Sequence, residues 1–134
     1  MPELKKYQMF IDGQWVDSDT KKTFETLNPE NNKPWAIVPE ASANDVDRAV
    51  KAAQKAFEGE WPKMLARDRA KYLRAIGNKL RENSELLGKI ETIDTGKLYR
   101  ETYQQAKYIA EYYDYYAGLA DKVEGTVLPI DKPN

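Results

Sequence analysis

The chain contains no cysteine and no histidine among its 134 residues. Without cysteine there is no disulfide and no thiolate metal centre, although this alone does not fix the compartment. Without histidine the commonest general base and the commonest transition-metal ligand are missing. Together the two absences exclude the usual cysteine and serine triads. The seven glycines are scattered, so no Gly-x-Gly-x-x-Gly or Walker-type loop can form. No apolar run approaches the length of a membrane span, and Met1–Lys6 lacks the apolar centre of a signal peptide. There is no block of one charge either. The 21 basic and 22 acidic side chains alternate along the sequence, which argues against a nucleic-acid surface. A single soluble cytoplasmic domain, with no nucleic-acid or membrane partner, is the expectation.

Turn chemistry and periodicity organise what is present. Asp12-Gly13 lies between Met9-Phe10-Ile11 and Gln14-Trp15-Val16, a strong two-residue hairpin signal. Thr23 to Leu27 alternates like a strand, Asn28–Asn32 reads as a turn, and Trp35–Val38 can return as the partner strand, ending at Pro39. Ser42 with Asp45 three residues on resembles a capping box. Val46, Ala49, Val50, Ala53, Ala56 and Phe57 then keep helical spacing. Gly59 and Trp61-Pro62 interrupt it. Ala66, Ala70, Leu73, Ile76, Gly77 and Leu80 predict a second helix. Ser84 can cap a third, with Leu86, Leu87, Ile90 and Ile93 on its buried face and Gly96 as a left-handed terminator. A fourth helix is predicted from about Tyr99 to Val123, closed by Gly125, followed by extended Thr126–Ile130. The expected fold is thus α+β: two hairpins over residues 1–41, helices over 42–125, and an extended tail over 126–134.

The fourth helix reverses the usual amphipathic proportions. Arg100, Gln104, Lys107, Glu111, Asp114, Gly118 and Asp121 form one narrow seam, and nearly every other position is apolar or aromatic. Such a helix is expected to be covered on several sides, and three helices and two hairpins offer little to cover it. Its tyrosines can line a ligand pocket or simply pack. Glu91 and Asp94 can be read as a carboxylate pair or as an ordinary helix end. Arg67, Asp68, Arg69, Lys71 and Arg74 read as a solvated face, and Lys97 suits the negative end of a helix dipole.

Glu91-Thr92-Ile93-Asp94-Thr95-Gly96-Lys97, followed at helical distance by Tyr115-Tyr116-Ala117-Gly118-Leu119-Ala120-Asp121-Lys122, resembles the N-terminal part of the aldehyde dehydrogenase superfamily. The similarity begins at Phe10-Ile11-Asp12-Gly13-Gln14-Trp15. It continues through Thr26-Leu27-Asn28-Pro29, Asp45-Val46-Asp47-Arg48-Ala49-Val50 with Ala52-Ala53 and Ala56-Phe57, and Arg69 with Leu73. The resemblance implies the first part of a coenzyme-binding domain, within a Rossmann-like α/β fold when complete. It implies an oxidoreductase that uses NAD or NADP to convert aldehydes to carboxylic acids, through a cysteine nucleophile for which this chain has no residue. The 134-residue chain alone is therefore expected to be inactive and to bind no dinucleotide. The resemblance further implies a weak monovalent-cation site (Na+ or K+) at the carbonyls of Thr26 and Leu27 and the carboxylate of Asp94. It also places Tyr108 and Tyr112 on the wall of a substrate tunnel.

Two functional readings follow. In the first, the chain is the N-terminal segment of an aldehyde dehydrogenase whose natural partner is the remainder of that enzyme, and which self-associates through the 99–123 helix when alone. In the second, it is an autonomous helical binding or assembly module derived from that family. The fourth helix discriminates them: a self-standing module must cover its apolar faces, and a segment of a larger protein leaves them bare.

Overall fold

The computed structural model describes residues 4–127. Five short strands precede four helices: β1 (Lys5–Lys6), β2 (Met9–Ile11), β3 (Gln14–Val16), β4 (Thr23–Asn28), β5 (Lys33–Pro39), α1 (Ala43–Glu58), α2 (Ala66–Glu82), α3 (Ser84–Thr95) and α4 (Tyr99–Leu119), with a 3-10 turn at Trp61–Lys63 between α1 and α2. Asp12 and Gly13 both take positive φ, 50° and 79°, giving the turn twist that a two-residue hairpin needs between β2 and β3. The second hairpin closes through asparagine. The Asn28 carbonyl accepts the Asn32 N–H at 2.7 Å, and the Asn28 and Asn31 side chains accept the N–H groups of Glu30 and Lys33, both at 2.9 Å. Both expected hairpins form. The sheet also gains β1, parallel to β5, with the Tyr7 N–H donating to the Ile37 carbonyl at 2.9 Å. Two lysines carry no strand pattern, so only the open edge of β5 explains this pairing.

Small residues hold the helices together. α4 packs against α2 and α3, and its buried positions are Thr102, Ala106, Ala110 and Ala117. The facing buried residues are Ala70 and Gly77 on α2 and Ser84 and Gly88 on α3. A Cβ on Gly88 would lie 2.9 Å from the backbone of Tyr103, and one on Gly77 would lie 3.1 Å from the Ala110 carbonyl. Backbone therefore meets backbone. Thr102, fully buried, donates to the carbonyls of Gly88 and Tyr99 at 2.9 and 3.0 Å and shares a 2.9 Å bond with the Thr92 hydroxyl.

This arrangement corrects several expectations. The apolar stripe of α1 is bare, with Val46, Val50 and Phe57 exposed. On α3 the side chains Leu86, Leu87 and Ile93 point outward, while Ser84 and Gly88 take the interior. Ser84 is the first residue of α3 rather than its cap, which is Asn83. Helix α4 ends at Leu119, and Gly125 lies in irregular chain without the positive φ that a terminating glycine would need. Thr126 and Val127 form no regular element, and the remainder of the expected extended tail lies outside the described residues. Gly96 does terminate α3, at φ 75°.

One carboxylate ties the sheet to the helices. Asp45, buried in the first turn of α1, completes the capping box with Ser42: its N–H donates to Ser42 Oγ at 3.1 Å, and its Oδ2 accepts the Ser42 N–H at 2.9 Å. The same carboxylate accepts from the Ser18 hydroxyl at 2.8 Å, from the Asp19 N–H at 3.3 Å and from Arg48 at 2.7 Å. The Ser42 N–H is the largest influence holding the Asp45 carboxyl well below the usual range, with the Ser18 and Ser42 hydroxyls adding to it against the cost of burial.

Two outcomes follow for stability. A depressed carboxyl pKa stabilises the fold above the unfolded-state value, and that contribution declines below it until it is lost as pH falls through the folded-state value. Thermal stability should therefore decline below about pH 4, and Asp45→Asn should flatten that decline while lowering the melting temperature at neutral pH. An unchanged acid limb in the variant would contradict the assignment. Separately, Gly88→Ala should cost about 1–3 kcal/mol by forcing α3 and α4 apart. Gly118→Ala, where a Cβ meets nothing within 4 Å, should be neutral or slightly stabilising. Urea midpoints of the two variants provide the comparison.

Candidate functional site

The last turn of α3 and the edge strand β4 meet at Asp94. Its Oδ1 accepts the Thr26 hydroxyl at 2.7 Å and the Trp35 indole N–H at 3.2 Å. Trp35 reaches it because of a bulge. Thr26 pairs with Ala36 and Leu27 with Pro34, so Trp35 is the extra residue on β5. Its ring stands edge-on to Tyr7, with centroids 6.2 Å apart. Gly96, at φ 75°, turns the chain here in a conformation that favours glycine, and it lies against Pro29.

The three residues expected to hold a cation are thus neighbours, but their oxygens are unequally available. The Glu40 N–H donates to the Lys22 carbonyl at 2.9 Å, which sets the ladder phase and makes Thr26 and Ala36 a hydrogen-bonded pair. The Thr26 carbonyl is therefore engaged in the sheet. Leu27, one residue on, falls at a non-hydrogen-bonded position of the edge strand, so its carbonyl points away from β5. On Asp94 both protein donors fall on Oδ1. A hard cation would find the Leu27 carbonyl and Asp94 Oδ2 the most accessible ligands. The Asp94 partners are the Thr26 hydroxyl and the Trp35 indole rather than backbone N–H groups of the Thr26–Pro29 turn. Glu91 does not join Asp94 as an acid–base pair, because Lys97 holds it at 2.7 Å.

A second concave surface lies along α4. Tyr108, Glu111, Tyr112, Tyr115 and Tyr116 line a cleft of about 400 Å³. Their spacing of three, four, seven and eight places all five on one helix face. The rings of Tyr108 and Tyr112 are near perpendicular, 5.0 Å apart, with hydroxyls bonded at 3.0 Å; Tyr115 and Tyr116 form a second perpendicular pair at 5.3 Å. The Tyr108 hydroxyl pushes the Tyr112 phenol above its ordinary value. The two residues expected on a tunnel wall therefore do share a cleft. Glu111, Tyr115 and Tyr116 join them, a grouping that the helical spacing alone could have disclosed. Trp35 was not foreseeable, since its part depends on a bulge.

Residues 15–134 match the model of the aldehyde dehydrogenase family. The chain belongs to that family. It is 42% identical over 132 residues to the (Z)-2-((N-methylformamido)methylene)-5-hydroxybutyrolactone dehydrogenase of Acinetobacter baylyi, covering 98% of this chain and 27% of that protein. It is 43% identical over 131 residues to the mitochondrial aldehyde dehydrogenase family 2 member B4 of Arabidopsis thaliana, covering 96% of this chain and 24% of that protein. Among solved structures, an aldehyde dehydrogenase from Bacillus cereus superposes with a TM-score of 0.89 at 38% identity, over 96% of this chain and 26% of that one. A betaine aldehyde dehydrogenase from Staphylococcus aureus, in complex with NAD+, superposes with a TM-score of 0.86 at 41% identity, over 94% of this chain and 26% of that one. The chain spans about a quarter of the length of these relatives.

The Asp94 junction is directly testable. Asp94→Ala should shift the Trp35 indole N–H resonance and cost about 1 kcal/mol, because two donors then have only water. Glu91→Ala should leave that resonance in place. Equal effects of the two changes would mean that Asp94 does not hold Trp35.

Proposed function

We propose that these residues serve as the N-terminal part of an NAD(P)-dependent aldehyde dehydrogenase that oxidises aldehydes to carboxylic acids, contributing scaffold and part of the substrate path rather than the reacting groups. One observation carries this reading beyond family membership. Every buried hydrophobic residue among the described ones is an alanine, while large side chains such as Val50, Phe57, Tyr108, Tyr115 and Tyr116 stand exposed. A self-standing binding module would cover such surface, which is what favours the segment reading over the autonomous one.

The dinucleotide, which supplies hydride acceptance when bound, does not fit the residues present. Its pyrophosphate requires a glycine-rich turn that leads into free N–H groups at a helix N-terminus. The strand-to-helix passage here, from β5 into α1, contains no glycine, and the anionic Asp45 already accepts the cap N–H. The chain's own contribution to the reaction is therefore positional. Tyr108 and Tyr112, braced against each other, offer a rigid wall for an aldehyde, and Asp94 fixes α3 to the sheet.

Three finer readings belong to the proposal. Leu27, Thr26 and Asp94 take a monovalent cation weakly, so exchanging sodium for potassium should shift the melting temperature less than Asp94→Ala does. The isolated chain self-associates through the outer face of α4, as a two-fold dimer. Light scattering over a dilution series, with Tyr112→Lys and Leu119→Lys, tests this; a chain monomeric at every concentration refutes it. The main reading is tested by activity. A protein in which this sequence continues into the rest of the family's length should reduce NAD+ or NADP+ with an aldehyde panel, and the 134-residue chain alone should not. Turnover by the chain alone would overturn the proposal.

A further inference from the structure

The cavity between β1 and the loop after β3 gathers positive charge from two distant parts of the sequence. It holds about 510 Å³, and Lys6, Lys21 and Lys22 line it around half-buried Tyr7 and Ile37. Asp17 is the one carboxylate among its lining residues, and it accepts from the Gln8 amide at 2.9 Å rather than from a lysine. On the helices, lysines are answered by carboxylates: Lys51 by Asp47, Lys71 by Asp68, Lys89 by Glu85 and Lys97 by Glu91, all at 2.6–2.7 Å. None of the three cavity lysines forms an ion pair among the described residues. Lys5, whose ammonium lies 4.6 Å from the Tyr7 ring centroid, adds a fourth positive charge nearby.

The fold itself brings these charges together. Lys21 takes a φ of 56°, which residues with a side chain seldom adopt, in a turn closed by its N–H on the Ser18 carbonyl at 2.8 Å. Ser18 is buried and donates to Asp45 at the start of α1, so the loop carrying Lys21 and Lys22 is anchored from beneath. Lys6 is placed by the pairing of β1 with β5. Like charges collected in this way repel one another, and an anion seated among them removes that cost.

We propose that Lys6, Lys21 and Lys22 bind the terminal diphosphate of a small phosphorylated molecule. Ammonium groups hold phosphate as point charges, without the planar fork of arginine. Several of them reward a high local charge, so a terminal diphosphate is favoured over the internal diester of a dinucleotide. The site is independent of the activity proposed above, and each can fail separately.

Sodium pyrophosphate is the probe, titrated into the 134-residue chain at constant ionic strength, with sodium sulfate as the control dianion. The backbone amide resonances of Lys21 and Lys22 should shift saturably at roughly 0.1–1 mM pyrophosphate, and sulfate should bind at least about fivefold more weakly. Lys6→Gln and Lys22→Gln should each weaken pyrophosphate about threefold or more, whereas Asp17→Asn should tighten it. Lys33→Gln removes an exposed charge that does not line the cavity and should leave the affinity unchanged. Circular dichroism of each variant separates loss of the site from loss of the fold. Equal affinity for pyrophosphate and sulfate would reduce the cavity to general surface charge and refute the proposal. Undiminished binding by a folded Lys22→Gln, an equal loss in Lys33→Gln, or no saturable binding at all would refute it too.

Discussion

Gly88 sits where α3 crosses α4, and the helix separation is set there by backbone rather than by side chains. With 2.9 Å between its missing Cβ and Tyr103, no other residue fits without moving a helix. Gly77 imposes a milder condition between α2 and α4, where a Cβ would stand 3.1 Å from the Ala110 carbonyl. Contact at this range gains dispersion from many atom pairs and lets Thr102 bridge two helices with one hydroxyl. It also dictates everything on the other side. A helix that gives its small residues to the interior must carry many of its large ones outside, and Tyr108, Tyr112, Tyr115 and Tyr116 of α4 are exposed.

That inversion explains which parts of the fold were legible in the sequence. Turn and cap chemistry is local, and Asp12-Gly13, Asn28 to Asn32, Ser42 with Asp45, and Gly96 read correctly because each acts within a few residues, whereas Ser84 and Gly125 did not cap the helices assigned to them. The boundaries of α1 and α2 followed from periodicity. Burial did not, because hydrophobicity identifies the face that will leave water and not the partner that removes it. Val46, Val50, Leu86 and Ile93 are apolar stripes whose covering surface is not within the described residues. β1 escaped for a related reason, since a strand of two lysines is defined by the edge it joins.

Site residues show the same division. Asp94 meets Thr26 through the threonine hydroxyl rather than through the carbonyl named for a cation, and Tyr108 and Tyr112 line one surface of α4. The indole of Trp35 comes to Asp94 through a register shift that no residue pattern announces. Family membership, in turn, tells that the relatives are about four times longer. It gives a chemical setting for the exposed surface without fixing what this stretch recognises.

The β1 pairing carries a consequence for how the chain assembles. The contacts between α3 and α4 join neighbours in sequence, and those between α2 and α4, though they close a loop as long as the one β1 closes, are extensive. Lys5 and Lys6 must wait for β5, and the loop they close contains both hairpins. Loop closure of that length is an entropic cost met by only a few hydrogen bonds. The N-terminal strand is thus the last element to dock on folding and the first to detach, and its amides should exchange with solvent ahead of every helix.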